Sequence, residues 1–391
     1  MKTFNKSLLL FAFLIHLLLF QPVTILSLNF CGTAHALDSS TLAQKLQTAV
    51  DNIRAKFNLV GVSAAIIFDS ETFLGTSGYS NIETLDKIEP DTVFPIYSIT
   101  KTFIATIILQ LSEEGLLNID DTIGSWLDLP EKYSTRINDK ITIRQLLNHT
   151  SGIYDYSKNP LMYLLILLYP NKEWTHEEAL DFVCKPYFAP GTGWHYSSTN
   201  YILLGMIIEE ATNSSVLTEL HSRIFEHLNL SQIFMQGAET IAGEIACPYL
   251  MVWEHPINIS FLYDAYEYSG LVWTTGALYS TAEDMARFAS ALFGGKLLGQ
   301  TSLDQMLTFI PDVKIQPNVR SISYGLGIMR IENGKVGTVW FNVGCALGQA
   351  WLVYLADLNL TCTVLINQLP YQMNDTIWHP VENLLDIVLS D

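Results

Sequence analysis

A serine stands three residues before a lysine in Pro95-Ile96-Tyr97-Ser98-Ile99-Thr100-Lys101-Thr102-Phe103, at the mouth of a long apolar segment. Such a pair can do acyl-transfer chemistry, because a hydroxyl becomes a nucleophile when a neighbouring group takes or holds its proton. If the segment is helical from about Ser98, the three-residue spacing puts hydroxyl and amine on one face. A first-turn serine also sits among unpaired backbone N–H groups at the positive end of the helix dipole, which favours an alkoxide or oxyanion nearby. Taken alone, the same tetrapeptide reads as a helix N-cap followed by a solvated lysine, so its meaning depends on what positions it.

Residues 101–111 are apolar on nearly all sides and stop at Glu113-Glu114-Gly115, with glycine in the helix-stopping position. This predicts a buried helix that holds Ser98 at a protected end. Residues 60–68 and 72–75, joined by Asp69-Ser70-Glu71, read as a β-hairpin. Helical periodicity then recurs at 141–147, 161–169, 177–183, 201–211 and 216–228. The 161–169 run is too short to cross a bilayer and reads as a core helix, with a lid over a pocket as the alternative. After Gly270 a helix over 282–293 precedes strands at 324–331, 336–341, 350–356 and 360–366, with Asn333-Gly334 as a hairpin turn. Residues 381–389 have helical spacing and would pack on that sheet. No linker or repeat divides the chain, so strands from both ends are expected to join one sheet, with a helical region of about 116–270 inserted between them. The fold class is therefore α+β, an antiparallel sheet flanked by helices.

The 391 residues are 49% hydrophobic and 12% aromatic, enough for a sizeable core. Lys2 and Lys6, an apolar run over 8–20 and Ala34-His35-Ala36 read as a signal peptide over 1–36, leaving 37–391 as the functional domain. This predicts a secreted or periplasmic protein. An uncleaved anchor is the alternative, because the apolar character resumes after Pro22 as far as Phe30. Losing two lysines and no acid takes the net charge from −18 to −20. Such an acidic chain is a poor match for nucleic acid or an anionic membrane surface, and membrane association is expected only if the N-terminal segment stays on. Cys184, Cys247, Cys345 and Cys362 form no C-x-x-C pair, and their pairing is left open.

Other catalytic patterns are absent. There is no G-x-S-x-G elbow or phosphate-binding G-x-x-x-x-G-K-[ST], and His176-Glu177 lacks the second histidine of H-E-x-x-H. His221 and His227 are six apart, on different sides of a helix. No metal and no organic cofactor is expected, and His149 and His195 read as structural residues.

Further stretches accompany Ser98 in order: Leu146-Leu147-Asn148-His149-Thr150-Ser151-Gly152, then Pro190-Gly191-Thr192-Gly193-Trp194-His195-Tyr196-Ser197-Ser198-Thr199-Asn200, then Ser280-Thr281-Ala282-Glu283-Asp284, then Tyr324-Gly325-Leu326-Gly327. With these, the chain resembles the serine hydrolases of the class C β-lactamase and D-alanyl-D-alanine carboxypeptidase family over nearly all of residues 55–370. The resemblance implies a β-lactamase/transpeptidase-like fold with its site where sheet and helical region meet. It implies Ser98 as nucleophile through an acyl-enzyme, Lys101 as activator, Tyr196 as general base, and the backbone N–H groups of Ser98 and Cys345 as oxyanion donors. A tyrosine is a poor base unless a cation favours its phenolate, and Lys101 is the available one.

Two positions depart from the family pattern. Its Y-x-N reads Tyr196-Ser197-Ser198, so a hydroxyl replaces a substrate-contacting amide. Its cationic K/H-x-G reads Asn342-Val343-Gly344. Substrate contacts are therefore expected from Ser198, Asn342 and Gly344, without the charge that recognises a substrate carboxylate. The expected function is hydrolysis of a small or peptide-like ester or amide. The alternatives are a D-alanyl-D-alanine carboxypeptidase or β-lactamase, or a degenerate member that only binds ligands or scaffolds other proteins.

Overall fold

The computed structural model describes residues 39–390 apart from 170–171, 253–254, 263–269, 315–321, 334–335 and 370–378. The expected signal peptide over 1–36, Cys31 within it, and Gly334 of the hairpin turn lie outside the described residues.

Helix α1 (Ser39–Lys56) leads into the hairpin β1 (Gly61–Phe68) and β2 (Glu71–Asn81), whose turn residues Asp69 and Ser70 take positive φ. An edge strand β3 (Asp86–Lys87) follows, then α2 (Thr100–Glu113), α3 (Pro160–Leu168) and α4 (Thr199–Thr212). Helix α5 (Ala282–Phe293) precedes a meander of β4 (Ile310–Val313), β5 (Ile322–Tyr324), β6 (Met329–Asn333), β7 (Gly337–Cys345), β8 (Gln349–Leu355) and β9 (Leu360–Ile366), and α6 (His379–Val388) ends the chain.

These nine strands form one antiparallel sheet in the order β3-β2-β1-β9-β8-β7-β6-β5-β4. Strands from the two ends of the chain meet where Ala64 of β1 opposes Val364 of β9. Helices cover both faces. On one, α1 and α6 pack Leu42, Leu46, Val50, Leu384 and Leu385 on Val62, Ile66, Trp351 and Val353. On the other, α2 and α5 pack Phe103, Ile107, Met285 and Phe288 against Ala65, Ala350, Leu352 and Leu365. All seven residues of β8 and of β9 are buried, which is why they read as apolar runs and not as alternating ones.

The 324–331 stretch is not one strand. Gly325-Leu326-Gly327 breaks it into β5 and β6, with Gly327 at φ +76°, a conformation that favours glycine. The inserted region is less purely helical than its periodicity suggests. It holds short strands Ile233–Met235, Tyr249–Val252 and His255–Asn258, and 177–183 forms a 3-10 turn (Glu177–Phe182). The 216–228 run is a short α-helix, Val216–Leu220, continued by a π turn. No helix among the described residues is long and apolar enough to cross a membrane. Cys184, Cys247, Cys345 and Cys362 are free thiols.

Candidate active site

The segment that presents Ser98 differs in detail from a helix first turn. Residues Tyr97–Ile99 form a 3-10 turn and the α-helix begins at Thr100. Tyr97 adopts φ +48°, rare for a bulky residue, and so turns the chain sharply just before Ser98. What holds it there is close packing. A Cβ on Gly344 would lie 2.2 Å from the Ile96 carbonyl oxygen and 2.8 Å from the Tyr97 Cβ, so only glycine lets β7 approach the turn. Helix α2 behind it is buried from Thr100 through Leu109, as its apolar composition requires.

Lys101 is 1% exposed. Its Nζ donates to the Thr275 carbonyl oxygen at 2.6 Å and lies 3.1 Å from Ser98 Oγ. The rings of Tyr196 and Tyr201 flank it, with centroids 5.2 and 5.6 Å away. Burial depresses the amine from its ordinary 10.5 to about 7, and the Asp155 carboxylate opposes that shift. The neutral amine is thus far easier to reach near neutral pH than it is for an exposed lysine.

Tyr196 hydrogen-bonds with Ser98 while its ring lies beside the Lys101 amine. Burial pushes its phenol well above the ordinary range, with only the hydrogen-bonding Ser98 hydroxyl acting the other way. The phenolate expected from a nearby cation therefore lacks its electrostatic support, because the cation is itself destabilised. Tyr196 packs on His149, ring centroids 4.3 Å apart. His149 Nδ1 accepts from the Ser197 backbone N–H at 3.2 Å and from Asn200 Nδ2 at 3.1 Å. The hydrogen is then on Nε2, which donates to the Tyr324 hydroxyl at 3.1 Å. Burial and the Lys101 charge hold His149 well below its ordinary range, so it is a neutral structural ring. The His195 ring is fixed by its contacts, with Nδ1 2.8 Å from the Tyr196 carbonyl oxygen and the ring stacked 3.7 Å from Tyr187.

Asn342 sits where expected in the strand but faces inward. It is 3% exposed. Its Nδ2 donates to Thr102 Oγ1 at 2.7 Å and lies 3.3 Å from the Gly327 carbonyl oxygen and 3.5 Å from that of Ser98, while its Oδ1 accepts from the Val343 N–H at 2.8 Å. With both amide hydrogens engaged, the side chain fastens β7 to the Ser98 turn and has no donor left for a ligand. Gly344 supplies close approach. Ser198, half-buried, precedes α4 without capping it by its side chain. The nearest amide in sequence, Asn200, is buried and engaged with His149 and Ser151. Cys345 ends β7 opposite Gln349, its thiol pushed up to about 12 by burial.

Ser98, Lys101, Tyr196, Asn342, Gly344 and Cys345 are thus gathered around one turn. Sequence reasoning missed the Thr275 carbonyl, because a backbone oxygen leaves no side-chain signal. It also missed Asp155, a 1% exposed carboxylate that acts on both Lys101 and Tyr196. Among the described residues no cluster of His, Cys, Asp or Glu could hold a metal ion.

This fold, with a serine, a dehydrated lysine and a tyrosine converging at the meeting of sheet and helices, belongs to the serine hydrolase class. The Beta-lactamase family model matches residues 46–385, and the chain belongs to that family. It is 26% identical over 306 residues to Penicillin-binding protein 4* of Bacillus subtilis (strain 168), covering 75% of this chain and 64% of that protein. It is 31% identical over 181 residues to Protein flp of Staphylococcus aureus (strain NCTC 8325 / PS 47), covering 44% of this chain and 34% of that protein. The matches thus span under two thirds and about a third of those relatives' lengths. Among solved structures, the D-amino acid amidase from Ochrobactrum anthropi SV3 complexed with L-phenylalanine amide superposes with a TM-score of 0.75 at 26% identity, covering 89% of this chain and 98% of that one. The D-stereospecific amidohydrolase from Streptomyces sp. gives 0.71 at 27% identity, covering 88% and 98%.

Proposed function

We propose that this protein is an exported hydrolase that cleaves an ester or amide bond of a small substrate through an acyl-Ser98 intermediate. The observation that carries the reading is Lys101: a fully buried amine 3.1 Å from Ser98 Oγ, depressed to about 7, is a base that water does not compete for. In the neutral form, Lys101 takes the Ser98 proton as Oγ bonds to the substrate carbonyl carbon and the carbonyl π pair moves onto oxygen. The backbone N–H groups of Ser98 and Cys345 are assigned to that oxyanion. Tyr196, kept protonated, donates its proton to the leaving alkoxide or amide nitrogen as the carbonyl re-forms, and Lys101 returns a proton to Tyr196. Water then releases the acid by the same steps in reverse roles.

The substrate assigned to this site has no free carboxylate next to the scissile bond, because Asn342 is neutral and its donors are engaged beneath the turn. Amides come first within that class, supported by the likeness to an amidase that binds an amino acid amide. The export reading rests on residues 1–36 alone. Turnover of D- and L-phenylalanine amide, a nitrophenyl ester and a chromogenic cephalosporin tests the proposal. Hydrolysis of amide or ester, lost in Ser98→Ala, supports it. Cephalosporin turnover exceeding both would move the assignment to a β-lactamase, and no turnover of any would favour a ligand-binding member.

A further inference from the structure

Helix α3 was expected to be a core helix or a lid, and it is only half buried. Its start is conventional: the Asn159 side chain caps it by accepting from the Leu161 N–H at 3.0 Å, and Pro160 takes the first turn. Met162 and Ile166 point into the core. Leu161, Leu164 and Leu168, spaced three and four apart on one stripe, are 49%, 50% and 61% exposed, and Tyr169 beside them is 56% exposed. Of the seven large apolar side chains that are exposed among the described residues, these four fall within nine positions, whereas Leu85 and Leu116 are single. A groove of about 460 Å³ runs beside the helix, with Leu161, Leu165, Tyr169, Trp174 and Phe182 on its apolar wall and Lys172, Glu178 and Asp181 at its polar edge.

We infer that this face docks on a zwitterionic lipid surface. A second copy fits poorly. A nine-residue helix is about 14 Å long and about 10 Å wide, a footprint of order 150 Å², whereas a stable dimer needs about 800 Å² from each partner. Two copies each carrying −18 would also repel. Insertion of one short apolar stripe into the headgroup boundary needs no such area. The flanks suit it: Tyr169 ends the helix and Trp174 lies beside the groove, aromatic groups of the kind found at membrane–water boundaries, while Lys172 lies over Trp174 at 3.7 Å with its charge balanced by Glu178. The acidic chain selects neutral headgroups over anionic ones. Docking would also bring the site to the surface, because the Tyr156–Lys158 turn before α3 is tied to α4 by the bond from the Tyr156 N–H to Thr199 Oγ1 at 3.0 Å, three residues past Tyr196.

The test is flotation of the full chain with phosphatidylcholine vesicles and with vesicles containing anionic phosphatidylglycerol. The parent is compared with Leu161→Gln/Leu164→Gln/Leu168→Gln, and with Leu168→Gln alone in case the triple variant fails to melt cooperatively. The parent should partition onto phosphatidylcholine at least about tenfold more than the triple variant and about two- to threefold more than the single one, with less binding to anionic vesicles. No flotation of the parent, or equal flotation of parent and variants, overturns the inference. So does a parent that sediments as a dimer while the variants are monomers, since a second copy would then cover the face.

Discussion

Two walls flank Ser98, and they use buried polar groups in opposite ways. On the strand wall, Asn342, Thr102 and the Gly327 carbonyl satisfy one another, and Gly344 lets β7 lie against the turn. On the helical wall, Lys101 is just as buried but is held by one carbonyl and a serine hydroxyl, among aromatic rings that cannot solvate its charge. A neutral amide can have every hydrogen engaged, and it then fixes geometry. A buried amine with few partners gives up its proton readily, and it then does chemistry. In the proposed mechanism the same burial makes one wall rigid and the other reactive.

Substitutions on the two walls should therefore separate activity from stability. Lys101→Met is expected to have the largest effect on catalysis, lowering kcat on an activated ester by about 10³-fold, within the range for loss of a general base. Its melting temperature should be unchanged or higher, because a dehydrated cation has been removed; a marked fall would show that Lys101 is structural. Tyr196→Phe should cost about 10²-fold in kcat with little change in KM, as loss of one positioned proton donor does. Asn342→Ala should invert the pattern. Thr102 and Gly327 lose a buried partner, so chemical denaturation should report a loss of about 1–3 kcal/mol, with a smaller loss of kcat than at Tyr196. Asp155→Asn, measured through kcat/KM against pH, should be the mildest change. Removing the carboxylate that favours charged Lys101 lowers the amine further, so the acid limb should move to lower pH. A shift to higher pH would contradict the arrangement.

Much of this was legible from residue order. The buried helix behind Ser98, the hairpin near the N-terminus and the meander announce themselves because apolar runs and turn residues encode them directly. The pairing of Ser98 with Lys101 follows from a three-residue spacing that survives the change from α-helix to 3-10 turn. The Tyr97 backbone twist was not legible, since it is imposed by β7 pressing Gly344 on residues nearly 250 positions away. Nor was the direction of Asn342: a strand position fixes the face of the sheet, while only the Thr102 and Gly327 partners reveal that the amide is engaged. The burial that depresses Lys101 belongs to the assembled walls and to no segment. Helix α3 misled because apolar composition on all sides normally means burial on all sides.

The acid–base assignment is tested most directly by the rate at which a fluorophosphonate labels Ser98 as a function of pH, read by intact mass with Ser98→Ala as the blank. With neutral Lys101 as the base, the rate should rise through a single titration near pH 7 and level off, and Lys101→Met should be slow at every pH. A rate that keeps climbing towards pH 10 and beyond, or that survives in Lys101→Met, would contradict the account and return the base to Tyr196.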